Sequence, residues 1–116
     1  MKFATPIAGA ILLFCTIPAP AHHSLEAQYD PTRSVTLKGT LTKMDWSNPH
    51  VRFFVDVTNG DKTVNWTVEM GSPNAQLMEG WKIDSFRVGD RVTVSVYPAR
   101  DGSSIGFIRK ITKGFH

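Results

Sequence analysis

Cysteine is almost missing from this chain. The one residue, Cys15, falls among the first amino acids, so an internal disulfide is excluded and any fold must close on aliphatic and aromatic burial alone. Long apolar runs are missing too. The run from Ala8 to Ile17 is far short of the roughly 20 residues that a bilayer core demands. No excess of one charge is present either. The 13 Lys and Arg residues face 10 Asp and Glu, and the signs alternate along the chain without a basic run. A polyanion-binding stripe is therefore not visible.

The signatures of common enzymes are absent as well. There is no cysteine nucleophile beyond the N-terminal region, no glycine-rich phosphate loop and no His-x-x-x-His pair. The carboxylates are scattered, and the serines fall in contexts of turns, caps and strand faces. Nothing in the sequence argues for an enzyme. What is there is 116 residues, 41% of them hydrophobic, which is one globular domain's worth and too apolar for a disordered chain.

The N-terminus reads as a secretory signal peptide over residues 1–21. Lys2 supplies the positive start, Ala8 to Ile17 the apolar middle, and Ala19-Pro20-Ala21 the small-x-small cleavage pattern. The bulky Phe14 before Cys15 argues against lipid attachment there. Cleavage after Ala21 makes His22 the first residue and lowers the formal charge from +3 to +2. The expected address is periplasmic or secreted, with no membrane span after the cut.

Residues 22–34 read as a polar, loosely held arm with a turn at Asp30-Pro31-Thr32, and residues 35–116 as a single β domain. Val35, Leu37, Gly39 and Leu41 share one face of a first strand. Met44 and Trp46 lie on the opposite parity, which predicts a bulge near Thr42 or Lys43. Val51, Phe53, Val55 and Val57 predict a second strand, and Asn59-Gly60-Asp61 a hairpin into Val64, Trp66, Val68 and Met70. Ser72-Pro73 opens a short helix, with Leu77, Met78 and Trp81 expected on its packed face. Val92, Val94 and Val96 form a fourth strand. Ile105, Phe107 and Ile111 form a fifth, with Ile108 implying a second bulge or burial on both sides. Three strands, a short helix and two strands, with glycine in a coiled first strand, is the order of a five-stranded Greek-key barrel of OB-fold type. A small open β-sandwich is the alternative.

Two clusters invite chemistry. The first is histidine: His22, His23, His50 and His116. As a new N-terminus, His22 offers its amine and its own Nδ1 to one metal ion. A third nitrogen from His50, or next from His23, completes a set suited to copper before zinc. The plainer reading is a solvated N-terminal tail, a His50 that hydrogen-bonds its loop, and a frayed His116. The second cluster is Asp45-Trp46-Ser47-Asn48-Pro49-His50. Here Trp46, Asn48 and Phe54 are candidates for ligand contact, with the two aromatics as an exposed platform. The plainer reading places Trp46 over the barrel end and Phe54 under the arm. Trp66 and Trp81 read as core, and Asp56 and Glu69 as solvated.

Taken together, His22-His23-Ser24, Val35-Thr36-Leu37-Lys38-Gly39-Thr40, Trp46-Ser47-Asn48-Pro49-His50, Trp66-x-x-Glu69-x-Gly71-Ser72-Pro73-Asn74, Gly80-Trp81 and Val88-Gly89-Asp90 resemble a family of small exported bacterial proteins, domain-of-unknown-function family 6152. The resemblance spans essentially the whole chain after the leader. It implies an exported single-domain protein of a Gram-negative-type envelope, with no assigned activity. The expectation from the sequence is thus a periplasmic binding module that holds a metal ion, or one that takes a carbohydrate, peptide or protein through the Trp46 loop. A copper-dependent enzyme on the same histidines is a third reading. Export and a charge of +2 argue against nucleic acid.

Overall fold

The computed structural model describes residues 25–115. The leader, His22, His23 and His116 lie outside them.

Five strands close a barrel: β1 (Val35–Asp45), β2 (Arg52–Asn59), β3 (Lys62–Glu69), β4 (Arg91–Pro98) and β5 (Ile105–Lys113), in the spatial order β1-β2-β3-β5-β4 with β4 back on β1. This is the five-stranded OB-fold arrangement, with helix α1 (Pro73–Met78) between β3 and β4. Closure depends on β1 serving two partners. Its first half pairs with β4, from Val35 opposite Val96 to Thr40 opposite Arg91. Its second half pairs with β2, from Thr40 opposite Asp56 to Asp45 opposite Arg52. The strand turns between those halves at Gly39, where a Cβ would stand 2.2 Å from the Asp56 carbonyl oxygen. Only glycine fits there. The expected bulge is present, as a register shift between Leu41 and Lys43.

The β2–β3 hairpin turns at Gly60, whose φ of 65° suits a residue without Cβ. Three parallel pairs, Thr67 to Ile105, Val68 to Gly106 and Glu69 to Phe107, shut the barrel between β3 and β5. Inside lie Leu37, Leu41, Phe53, Val55, Val68 and the three valines of β4. The second bulge is also present: Ser95 faces Lys110 while Val96 faces Ile108, leaving Arg109 as the extra residue. One parity differs from expectation. In β5 the inward position is Gly106, and the ring of Phe107 instead packs on Tyr29 at 5.7 Å.

Two further expectations are corrected. The arm is held against the barrel. Its residues 25–28 make one helical turn, Tyr29 bridges to Ala99 and is only 3% exposed, and the Arg100 amide donates to the Gln28 carbonyl. Helix α1 also presents another face than the one predicted. The Ser72 hydroxyl accepts from the Ala75 amide at 3.2 Å and Pro73 occupies the first turn. The start is thereby fixed so that Ala75 and Gln76 face the barrel, while Leu77 is exposed and Met78 is 84% exposed. At six residues the helix can bury about one turn's worth of one face, and the cap decides which. Val64 is exposed as well, near the hairpin tip.

Candidate functional site

The end of the barrel beside α1 is open. A cleft of about 410 Å³ lies there, between the end of β1, the helix, the segment leading into β4, and β5. Its size falls within the roughly 300–1,000 Å³ of small-molecule sites. The floor is a chain of four rings. Trp46 packs on Phe53 (centroids 6.4 Å apart), Phe53 meets Phe86 edge-on (5.5 Å), and Phe86 packs on Trp81 (4.8 Å). All four rings line the cleft. The polar members are Gln76 and Glu79 from the helix side, and Arg109 and Lys110 from β5.

Local sequence explains how this end is assembled. The Val51 amide donates to the Gly71 carbonyl and the Met70 amide to the Val51 carbonyl, both at 2.9 Å. Those two bonds stitch the loop after β1 to the entrance of α1. On the far side, the Gly89 amide donates to the Leu41 carbonyl and the Leu41 amide to the Asp90 carbonyl. Val88-Gly89-Asp90 is therefore a clamp onto the bulged part of β1. It holds the segment that carries Trp81 and Phe86.

Outside the barrel lies a second constellation, centred on Glu69. This carboxylate is 13% exposed and has three neighbours. Tyr29 donates its hydroxyl to Oε1 at 3.1 Å, His50 Nδ1 lies 3.3 Å from Oε1, and Arg52 Nε lies 3.4 Å from Oε2. The expectation of a solvated Glu69 is corrected: strand pairing places Arg52 opposite it, and the arm covers it with Tyr29. Asp56 stays on the outer face, where it accepts from the exposed Asn65 amide at 2.8 Å.

Burial, and then the Glu69 charge and hydrogen bond, raise the Tyr29 pKa well above its ordinary value, with Arg52 partly opposing. The folded state therefore holds this proton more tightly than the unfolded chain, and that stabilisation is complete below about pH 10. It should be lost progressively as pH rises above that. Alkaline unfolding followed by circular dichroism should show stability falling from about pH 10, and Tyr29→Phe should remove that part of the decline. An unchanged alkaline limb in the variant would contradict the assignment.

Of the residues singled out in the sequence, Trp46 lines the cleft and His50 belongs to the Glu69 cluster. Asn48 is exposed and precedes a cis peptide bond to Pro49. Phe54 points to the outside of β2 beneath the Lys43 ammonium, 5.3 Å from the ring centroid. Trp46 packs instead, tilted, against the inward-facing Phe53, so Trp46 and Phe54 do not form one platform. No three His, Cys, Asp or Glu side chains gather as a metal-holding group among the described residues. Sequence reasoning missed Gln76 and assigned Trp81 to the core alone. The cap Ser72 was the available signal, since counting from it puts Gln76 on the barrel side.

The fold has known counterparts. Two crystal forms of the mitochondrial single-stranded DNA binding protein Rim1 from S. cerevisiae superpose with TM-scores of 0.54 at 10% and 11% identity. Each match covers 70% of this chain and 92% or 91% of the other. At such identity the likeness concerns the fold alone. No curated protein matches the sequence. Residues 10–109 match the family of unknown function DUF6152, and the chain belongs to that family.

Proposed function

We propose that the protein is an exported binding module whose ligand sits in the cleft between Trp46 and Trp81. One observation carries the reading: a cleft of small-molecule size whose floor is a continuous run of aromatic rings and whose wall holds a few polar groups, the general composition of ligand sites. Anilinonaphthalene sulfonate provides the test. The native protein should bind one dye with saturable emission, and Trp46→Ala or Trp81→Ala should weaken that binding several-fold while the far-ultraviolet spectrum stays native. Dye binding indifferent to both changes would refute the proposal. Export itself rests on the leader. The intact mass of protein recovered from the envelope fraction should correspond to residues 22–116, and a mass retaining the leader contradicts it.

A second reading is favoured by the Glu69 cluster. A carboxylate behind Nδ1 is how metal-bound imidazoles are commonly oriented, and with Glu69 at Nδ1 the Nε2 of His50 is the nitrogen left to coordinate. In this reading the His22 amine and imidazole, with His23 in reserve, complete a copper site on His50. Copper(II) titration followed by spin resonance should show a nitrogen-rich signal that His22→Ala and His50→Ala each weaken. Equal weak binding by native protein and His22→Ala ends the idea.

A further inference from the structure

Gln76 is the buried polar side chain of the described core, at 6% exposure. Its backbone is fixed on both sides: its amide donates to the Ser72 carbonyl, and its carbonyl accepts from Glu79 and Trp81. Its side-chain amide makes no hydrogen bond to any described residue, although no sealed polar side-chain atom of the described chain lacks a partner. The amide therefore opens onto the cleft that Gln76 lines. A carboxamide in that position offers an acceptor and a donor side by side, with no described residue taking either. A purely apolar occupant would leave it without a partner, which is unfavourable for a buried polar group.

The rest of the lining narrows the occupant. The floor asks for a flat apolar face. The polar groups carry both signs, Glu79 against Arg109 and Lys110, which suits a neutral polyhydroxyl better than a multiply charged ligand. A nucleic acid strand would bring repeated phosphates to two cations and a carboxylate. A pyranose satisfies each demand: its axial C–H face lies on an indole, vicinal hydroxyls pair with the two ends of the Gln76 amide, and its remaining hydroxyls both donate and accept.

Resting on the cleft reading above, we infer that the ligand is a neutral carbohydrate, one or two hexopyranose units long, read by Gln76 and stacked on Trp46 or Trp81. The test is saturation-transfer and ¹H–¹⁵N spectroscopy of the intact protein with methyl glucoside, methyl galactoside and cellobiose. Indole, N-acetyltryptophanamide and oligothymidylate serve as competing classes. At least one sugar should shift the Trp46 and Trp81 indole signals and the Gln76 side-chain amide, with a dissociation constant on the order of 1 mM. Gln76→Met, close in length and without the amide, should weaken sugar binding about tenfold and leave indole binding within about twofold, as expected for a lost hydrogen-bond pair of roughly 1.4 kcal/mol. If sugars leave the cleft silent while indole, the peptide mimic or the oligonucleotide shifts it, the carbohydrate assignment is wrong and the cleft reading stands. If nothing shifts the cleft, both fail.

Discussion

Gly39→Ala should cost about 3 kcal/mol or more, because the new methyl collides with backbone rather than with a side chain that can swing away. Its nearest neighbours would be the Asp56 carbonyl oxygen at 2.2 Å and Val55 Cγ1 at 2.7 Å. Relief requires β1 to lift from β2 where it passes from one partner to the other, which loosens both halves of its pairing. For a domain of this size the loss corresponds to a melting temperature lower by roughly 12–24 °C. Gly60→Ala is the control, since its φ is positive but nothing lies within 4 Å. That change should cost only about 1–2 kcal/mol. Thermal unfolding by circular dichroism compares the two, and equal losses would contradict the close approach at Gly39.

Phe53→Ala should be of similar size or larger. The ring is 1% exposed and touches both Trp46 and Phe86, and removing a buried phenyl typically costs about 3–5 kcal/mol. It has a second consequence here. Phe53 links the two halves of the cleft floor, so its loss uncouples Trp46 from the Phe86–Trp81 pair. The milder Phe53→Leu, at about 1–2 kcal/mol, should retain the fold and still weaken ligand-cleft binding. Melting curves and dye titrations on the two variants read these effects separately. A Phe53→Leu protein with native dye binding would show that the floor is not shared.

The barrel was legible because its signals are local. Alternation from Val35 to Leu41, the slip at Met44, the Asn59-Gly60 turn and the Ser72-Pro73 cap each act within a few residues, and together they order the strands. The site was legible only in fragments. Trp46 stood out as an aromatic in a loop, but its partner is Phe53 because inward and outward positions alternate along β2, and that puts Phe54 on the outside. Glu69 looked solvated because its companions come from elsewhere: Tyr29 lies 40 residues away and reaches it across the outer surface. Leu77 and Met78 looked buried by their hydrophobicity, yet a capped helix of one and a half turns offers a single face, and the cap gave that face to Gln76. Of these, the Glu69 cluster was set by contacts between segments distant in sequence, which periodicity does not encode, whereas the parity of Phe54 and the Ser72 cap are local signals.

The sequence blocks that carry the resemblance acquire physical roles from these contacts. Asn48-Pro49-His50 and Trp66-x-x-Glu69-x-Gly71 meet through His50 and Glu69 and through the Val51 bonds to Gly71 and Met70. Val88-Gly89-Asp90 grips the bulge of β1 at Leu41. Of these residues Met70 and Gly71 line the cleft, and Val88-Gly89-Asp90 holds the segment that carries Trp81 and Phe86.

The most direct examination of the ligand site reads the three indole N–H resonances of the intact protein while indole and then a methyl hexoside are added. Trp46 and Trp81 line the cleft and Trp66 does not. The expected result is saturable movement of the first two signals with the third unmoved. Movement confined to Trp66, or equal drift of all three without saturation, would contradict a ligand site at this end of the barrel.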